Sequence, residues 1–414
     1  MQTEPLRVLA LFGTRPELIK LFPVLDRLSG EDRFDLSVVS TSQHREMIDG
    51  LLRLFSIEPD HDLDIIRKDQ TLADISIRTL QGLDPILEDT RPELLLVQGD
   101  TSSAFIGALA AFYRKIPVGH VEAGLRSRDK HHPFPEEINR RLISIVGDMH
   151  FAPLQSNADN LLREGVDPDR IFVTGNTVID ALMHVRGRGG NTLDDHVPPE
   201  TLAGRRVVLV TAHRRESFDG HLAELCHALR ELVTAYPDIV VVYPVHLNPN
   251  VRRTVLPILD DHERIRLIEP LPYEAFVEAM SRCHMIITDS GGVQEEAPSL
   301  GKPALVFRKV TERVEGVAAQ SVKVVGLSRS RLVEAATELL DNPTVYARMT
   351  RQRNVYGDGQ ASRRIVEAIL ACFDRGERPQ PFRGLDDSSG ESRCDYPAMQ
   401  IAPAVTSAPK NSSD

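Results

Sequence analysis

Short aliphatic and β-branched runs alternate with amphipathic stretches along most of this chain. In the first half the apolar runs cover residues 7–12, 35–40, 93–98, 117–121, 149–152 and 171–173, and each predicts a strand. Helical spacing of apolar positions fills the intervals, as at 16–28 and 102–113. A second series opens at 206–211 and continues through 239–245, 266–268, 284–288, 304–307 and 322–325. Alternation of this kind predicts parallel sheets with helices on both faces. Two series predict an α/β protein of two doubly wound, Rossmann-like domains, with ligand sites at the carboxyl ends of the strands.

The pattern breaks between 185 and 204, where Gly187-Arg188-Gly189-Gly190-Asn191 and Pro198-Pro199-Glu200 interrupt it. We therefore expect domains at 1–184 and 185–359. Residues 363–373 are amphipathic again, with Ile365, Val366, Ile369 and Leu370 along one face. A helix at about 360–375 is expected to pack back on the first domain. From Gly384 the chain turns to Ser, Asp, Pro and Gly, and 384–414 is expected to be a disordered, non-catalytic tail.

Composition mainly excludes. A chain of 414 residues exceeds one ordinary core, in keeping with two domains. Its net charge of −11 gives no general attraction to nucleic acid or to an anionic membrane, so an anionic ligand has to be held by a few local cations. Aromatics at 5% and the absence of Trp argue against a stacking platform for single strands. The 4 cysteines are far apart with no C-x-x-C pair, which fits reduced thiols in a cytoplasmic protein. No apolar run reaches membrane-spanning length, and residues 1–11 lack the organisation of a signal peptide.

The candidate chemistry sits where strands end. Met285-Ile286-Ile287 runs into Thr288-Asp289-Ser290-Gly291-Gly292, and a helix-like segment follows at once. Such a corner offers free N–H groups and a helix dipole to a phosphate, although Gly-Gly also marks ordinary turns. Glu296, read as lying in the first turn of that helix, would repel phosphate and suits ribose hydroxyls instead. The first strand ends in Gly13-Thr14-Arg15-Pro16-Glu17 with Lys20 one turn on, placing two cations near a helix start. No G-x-G-x-x-G follows any strand and no Walker A is present, so no nicotinamide or nucleoside-triphosphate signature supports a cofactor. Asp100 either caps the helix after Gln98-Gly99 or stands as an acid or base at the sheet edge. Glu122 follows a short strand, where a solvated carboxylate gains little. Glu136 and Glu137 can pair with Arg140 and Arg141 at i,i+4 spacing, an explanation needed for only one of them. His213-Arg214-Arg215 closes the first strand of the second series as an anion clamp without metal-ligand spacing.

Together these segments resemble the non-hydrolysing UDP-N-acetylglucosamine 2-epimerase family. The matching runs are 13–17 with Lys20, 43–47, 98–101, 119–126, 135–141, 174–180, 211–216, 244–249, 288–303, 311–313 and 356–359, in the family's order. The resemblance implies a glycosyltransferase-B-like fold with the nucleotide sugar in an interdomain cleft, and a homodimer. It implies interconversion of UDP-GlcNAc and UDP-ManNAc, for cell-surface polysaccharide, with no cofactor and no metal. Expulsion of UDP to a 2-acetamidoglucal and re-addition after C2 reprotonation is the workable route. Asp100, Glu122, Glu136 and His213 are then the expected catalytic residues, with Arg15 and Lys20 around the substrate. Phe276 falls by the uracil, Ser290, Gly291 and Gly292 on the diphosphate, Glu296 on the ribose and Arg313 near the phosphates. Gln43, His44 and His246 match a second, allosteric UDP-GlcNAc site. The chain departs from the family at Leu271, often glutamine, at Arg308-Lys309-Val310, at Val314 and in the loop 127–132. The alternatives are a hydrolysing epimerase releasing ManNAc and UDP, a 2-epimerase of a modified UDP-diacetamido sugar, a glycosyltransferase needing an acceptor, and a nucleotide-sugar sensor.

Overall fold

The computed structural model describes residues 4–42, 45–67, 69–190, 192–214, 220–351 and 354–384. Gln43, His44 and the segment 385–414 lie outside the described residues. The first sheet contains β1 (Leu6–Phe12), β2 (Phe34–Ser40), β3 (His61–Asp62), β4 (Leu94–Gln98), β5 (Val118–Val121), β6 (Met149–Ala152) and β7 (Ile171–Val173). The second contains β8 (Arg206–Thr211), β9 (Ile239–Pro244), β10 (Ile265–Ile268), β11 (Met285–Thr288), β12 (Ala304–Val306) and β13 (Val322–Val324). All pairings are parallel, in the orders β3-β2-β1-β4-β5-β6-β7 and β10-β9-β8-β11-β12-β13. The expected strands are present to within a residue or two at each end. The addition is β3, two polar residues too short to carry a pattern.

Central strands such as β4 and β11 are buried on both faces, which is why they read as unbroken apolar runs rather than alternations. In each sheet the strand order reverses beside the first strand, between β1 and β4 and between β8 and β11. Chain turning away in opposite directions leaves a crevice at each reversal. At the first crevice Gly13 allows a close approach, because a Cβ there would sit 2.1 Å from Thr41 Oγ1 and force it to move. The helix Arg15–Ser29 starts beyond it, and Glu17 fixes the turn. Its carboxylate accepts the N–H groups of Gly13 (3.1 Å) and Thr14 (2.7 Å) and the Thr101 hydroxyl (2.7 Å), tying the end of β1 to the end of β4.

The helix Thr177–Arg188 joins the two halves. It packs on Arg15–Ser29 from the first and on helices Tyr273–Arg282 and Gly291–Ser299 from the second. Its Val178, Ile179, Leu182 and Val185 belong to one apolar cluster that runs from β1 to β12. The helix Ala361–Cys372 folds back against Arg15–Ser29 and Thr177–Arg188. Buried Asp180 holds its start, accepting from Ala361 N (3.1 Å), Ser362 N (2.8 Å) and Ser362 Oγ (2.7 Å). Among the described residues no helix is long and apolar enough to cross a membrane.

Removing Asp180 strands these donors in a dry joint. Asp180→Ala is expected to lower unfolding free energy by about 1–3 kcal/mol in urea melts. An unchanged midpoint would contradict this role.

Candidate active site

The two crevices face each other across a cavity of about 550 Å³. From the first half come Arg15, Lys20 and Val178; from the second come His213, His246, Leu271, Phe276, Ser290, Gly292 and Glu296. Eight of the expected site residues therefore line one cavity. His246, expected at a separate site, is among them: its ring stacks on that of His213 with centroids 5.1 Å apart. Asp100, Glu122, Glu136, Gly291 and Arg313 do not line this cavity. They form a second group that adjoins it through Lys20 and the diglycine corner.

The corner is rigid. Thr211 and Thr288 hydroxyls at the ends of β8 and β11 are 2.6 Å apart, and Thr288 Oγ1 accepts the N–H of Ser290 at 2.9 Å. The helix Gly291–Ser299 begins immediately, presenting first-turn N–H groups to the cavity. A Cβ on Gly291 would come within 3.2 Å of the Arg313 guanidinium carbon, so glycine is what lets this cation lie against the helix start. Because Gly291 opens the helix, Glu296 falls in its second turn rather than its first. Its carboxylate accepts the Tyr273 hydroxyl at 3.0 Å and faces Arg15. Burial pushes Glu296 up to about 7, with Tyr273 opposing and Glu295 adding.

Asp289, fully buried, organises the His213 turn. One carboxylate oxygen accepts the backbone N–H groups of His213 and Arg214, both at 2.8 Å, and the other lies 3.7 Å from His213 Nδ1. Burial lowers the imidazole against the pull of Asp289, so the ring is neutral near pH 7.

The second group is a cluster of charges. Lys20 Nζ is in direct contact with Glu122 Oε1, both side chains largely buried. Gln98 Nε2 donates to Glu122 Oε2 at 2.6 Å, and Glu122 itself adopts a left-handed backbone, with φ of 68°. That conformation is uncommon for a side chain of this size and is held by the surrounding bonds. Burial works to raise Glu122, but Lys20, Arg313 and Gln98 outweigh it and hold the carboxyl below its ordinary range. Asp100 shifts the other way: burial raises it and Arg140, 2.7 Å away, opposes only in part. Glu136 stands close enough to add to that rise, and its Oε2 is buried without a hydrogen-bond partner.

Two of the open alternatives are resolved by these contacts. Thr101, not Asp100, caps the helix Ser102–Tyr113, its hydroxyl accepting from Ala104 N at 3.0 Å. The i,i+4 pairs expected for Glu136 and Glu137 do not form, and Glu137 lies instead 3.6 Å from Arg140 at i,i+3. Arg140 turns to Asp100, and Glu137 accepts Ser127 N (2.9 Å) and Arg128 N (3.2 Å), pinning the loop before the helix. Sequence reasoning assigned no role to Gln98, Asn176, Tyr273 or Glu295. Gln98 carried a signal, a polar end to an apolar strand. Glu295 carried none, since only the helix phase shows that it turns inward beside Glu296. Among the described residues no group of acidic, His and Cys side chains could hold a metal ion.

Two facing crevices, each at a strand-order reversal and joined by one cavity, define a glycosyltransferase-B-like α/β protein. The glycosyltransferase SnogD from Streptomyces nogalater has this fold at 16% identity and a TM-score of 0.57, covering 89% of this chain and 99% of its own; that likeness carries the fold alone. A family model described as UDP-N-acetylglucosamine 2-epimerase matches residues 26–370. The chain is 50% identical over 372 residues to a UDP-N-acetylglucosamine 2-epimerase of Yersinia pestis, covering 88% of this chain and 98% of that one. A crystal structure of UDP-GlcNAc 2-epimerase from Neisseria meningitidis bound to UDP-GlcNAc superposes with a TM-score of 0.83 at 45% identity, over 88% of this chain and 100% of that one. The chain belongs to the UDP-N-acetylglucosamine 2-epimerase family.

Glu296 generates a pH prediction of definite sign. Its folded value of about 7 lies above the ordinary 4.5, so the folded protein holds a proton that the unfolded chain releases. Stability from this group is fully present below the lower value and falls as pH rises through that window. Glu296→Gln lacks this cost, so it should gain about 1–3 kcal/mol on wild type between roughly pH 5 and pH 8 in urea melts. A difference independent of pH would contradict it.

Proposed function

We propose that the chain interconverts UDP-GlcNAc and UDP-ManNAc without hydrolysis, as a cytoplasmic homodimer that supplies UDP-ManNAc for surface polysaccharide. The named activity of its relatives supports the substrate. One observation carries the mechanism: two candidate carboxylates shifted in opposite directions, Glu122 downward and Asp100 upward, lie by Lys20 beside a cation-capped helix start.

The hydrogen on C2 is not adjacent to a carbonyl, so direct removal would be prohibitively slow. Breaking the C1–oxygen bond first sends its electron pair to the departing diphosphate and leaves positive charge at C1. Arg15, Arg313 and the N–H groups at Gly291 and Gly292 are suited to hold that diphosphate, with neutral His213 beside it. C2 then gives up its proton, and the C–H electrons form the C1–C2 double bond of a 2-acetamidoglucal. Glu122, held ionised by Lys20, suits the base. Asp100 or Glu136, in surroundings that favour the protonated form of Asp100, suits proton return to the opposite face. The UDP oxygen re-forms the bond to C1. Glu296 accepts from the ribose, and Phe276 and Leu271 flank the base, where the apolar Leu271 supplies packing and no hydrogen bond.

In D2O with no added nicotinamide, UDP-GlcNAc should yield UDP-ManNAc carrying deuterium at C2, without matching release of free UDP. Retention of the original hydrogen refutes the route, and stoichiometric UDP with free ManNAc places the chain with the hydrolysing enzymes. Glu122→Gln should lower kcat by about 10²–10⁴-fold while leaving UDP affinity, read by calorimetry, within a few-fold. Equal losses in both would mean that Glu122 only builds the nucleotide site.

A further inference from the structure

Asn176 is the residue through which the two halves touch at the charge cluster. It is buried at 3% exposure, directly before the helix Thr177–Arg188, and its Oδ1 accepts Val178 N at 3.1 Å. Its backbone N–H is bound to Tyr356 O at 2.8 Å. The two amide hydrogens have separate acceptors: Glu122 Oε1 at 3.3 Å and Glu295 Oε2 at 3.2 Å. A flipped amide would aim its carbonyl at two carboxylates and lose the bond to Val178, so the orientation is fixed. Glu295 Oε1 in turn accepts Arg313 Nε at 2.9 Å, and Arg313 lies over Gly291. A continuous path therefore runs from the diglycine corner through Arg313, Glu295 and Asn176 to Glu122.

We propose that Asn176 is a positioning residue that makes Glu122 answer to occupancy of the diphosphate corner. The proposal deepens the epimerase reading and rests on it. Glu295 holds Arg313 and shares the Asn176 amide with Glu122. A diphosphate at Gly291 competes for the guanidinium with two phosphoryl groups against one carboxylate. As Arg313 turns to it, Glu295 is left with uncompensated charge in a dry setting and draws the Asn176 amide toward itself. Glu122 loses a donor and becomes a stronger base only once the leaving group is seated.

The other groups facing Glu122 are Lys20 from Arg15–Ser29, Gln98 from β4, Asp100 from the turn after β4 and His120 from β5. All of these belong to the first half. Arg313 and Glu295 are the charges that approach from the half carrying the diglycine corner. The device also suits an elimination, because a strong base beside an empty anion site would have no leaving group to work with.

The test uses the full chain and its variants Asn176→Ser and Glu295→Gln. Serine keeps an oxygen that can cap the helix but is too short to bridge both carboxylates. Wild type is first checked for C2 exchange with UDP-GlcNAc; failure there removes the epimerase reading itself. The acidic limb of kcat/KM reports the free enzyme and that of kcat the substrate complex. In wild type the limb of kcat should lie about one pH unit above that of kcat/KM. In both variants the two limbs should coincide: at the higher, substrate-complex value in Asn176→Ser, where the donor to Glu122 is gone, and at the lower, free-enzyme value in Glu295→Gln, where the amide stays on Glu122 and kcat falls by about tenfold or more, with the UDP dissociation constant within about threefold of wild type. A gap that survives in either variant, or a Glu295→Gln enzyme with unchanged kcat, overturns the proposal. Loss of UDP binding in parallel with kcat also overturns it, since Asn176 would then only shape the nucleotide site.

Discussion

Everything in this molecule turns on the pairing of Lys20 with Glu122 at the base of the cleft. Either charge alone would be far too costly to bury. Together, with Gln98 and Asn176 donating and Arg313 nearby, they keep Glu122 ionised where water is scarce. The supporting groups come from separate elements: the first helix, the end of β4, the start of the joining helix and the loop after β12. A local change in any of them alters the same carboxylate. The backbone strain at Glu122, a side chain at positive φ, is sustained because so many partners specify where the carboxylate must go.

The fold is arranged to bring those elements together. Both sheets reverse strand order beside their first strand, and the two reversals open toward one cavity. The diglycine corner contributes main-chain dipoles, Arg313 and Arg15 contribute charge, and Glu17 locks the opposing turn without entering the cavity. The helix Thr177–Arg188 packs on elements of both halves and supports the cleft from behind by apolar contacts, while Arg15, Lys20, His213 and Glu296 stand among apolar residues along its lining. Arg15, Lys20 and Arg313 are local cations in a chain of net charge −11.

The alternation of apolar runs made the strands legible, because strands buried on both faces leave little room for polar residues. The diglycine corner, Gly13 and Glu122 stood out for the same reason: polar or flexible residues at the ends of such runs have to be explained. What sequence could not supply was direction. Asp100 stood open between helix cap and acid or base, and Thr101 takes the cap; Arg140, one possible partner of Glu136, turns to Asp100. His246, matched to a second ligand site, stacks on His213. Glu295 and Asn176 are separated by 119 positions and meet across the cleft, a contact no local pattern encodes.

The claim that departure of the diphosphate opens the reaction is tested most directly by positional isotope exchange. UDP-GlcNAc would carry oxygen-18 in the atom bridging C1 and the β-phosphorus. If that bond breaks and re-forms in the cleft, recovered UDP-sugar should show the label spread into the non-bridging β-phosphate positions by phosphorus NMR. Epimerised product with the label still wholly in the bridge would contradict the account.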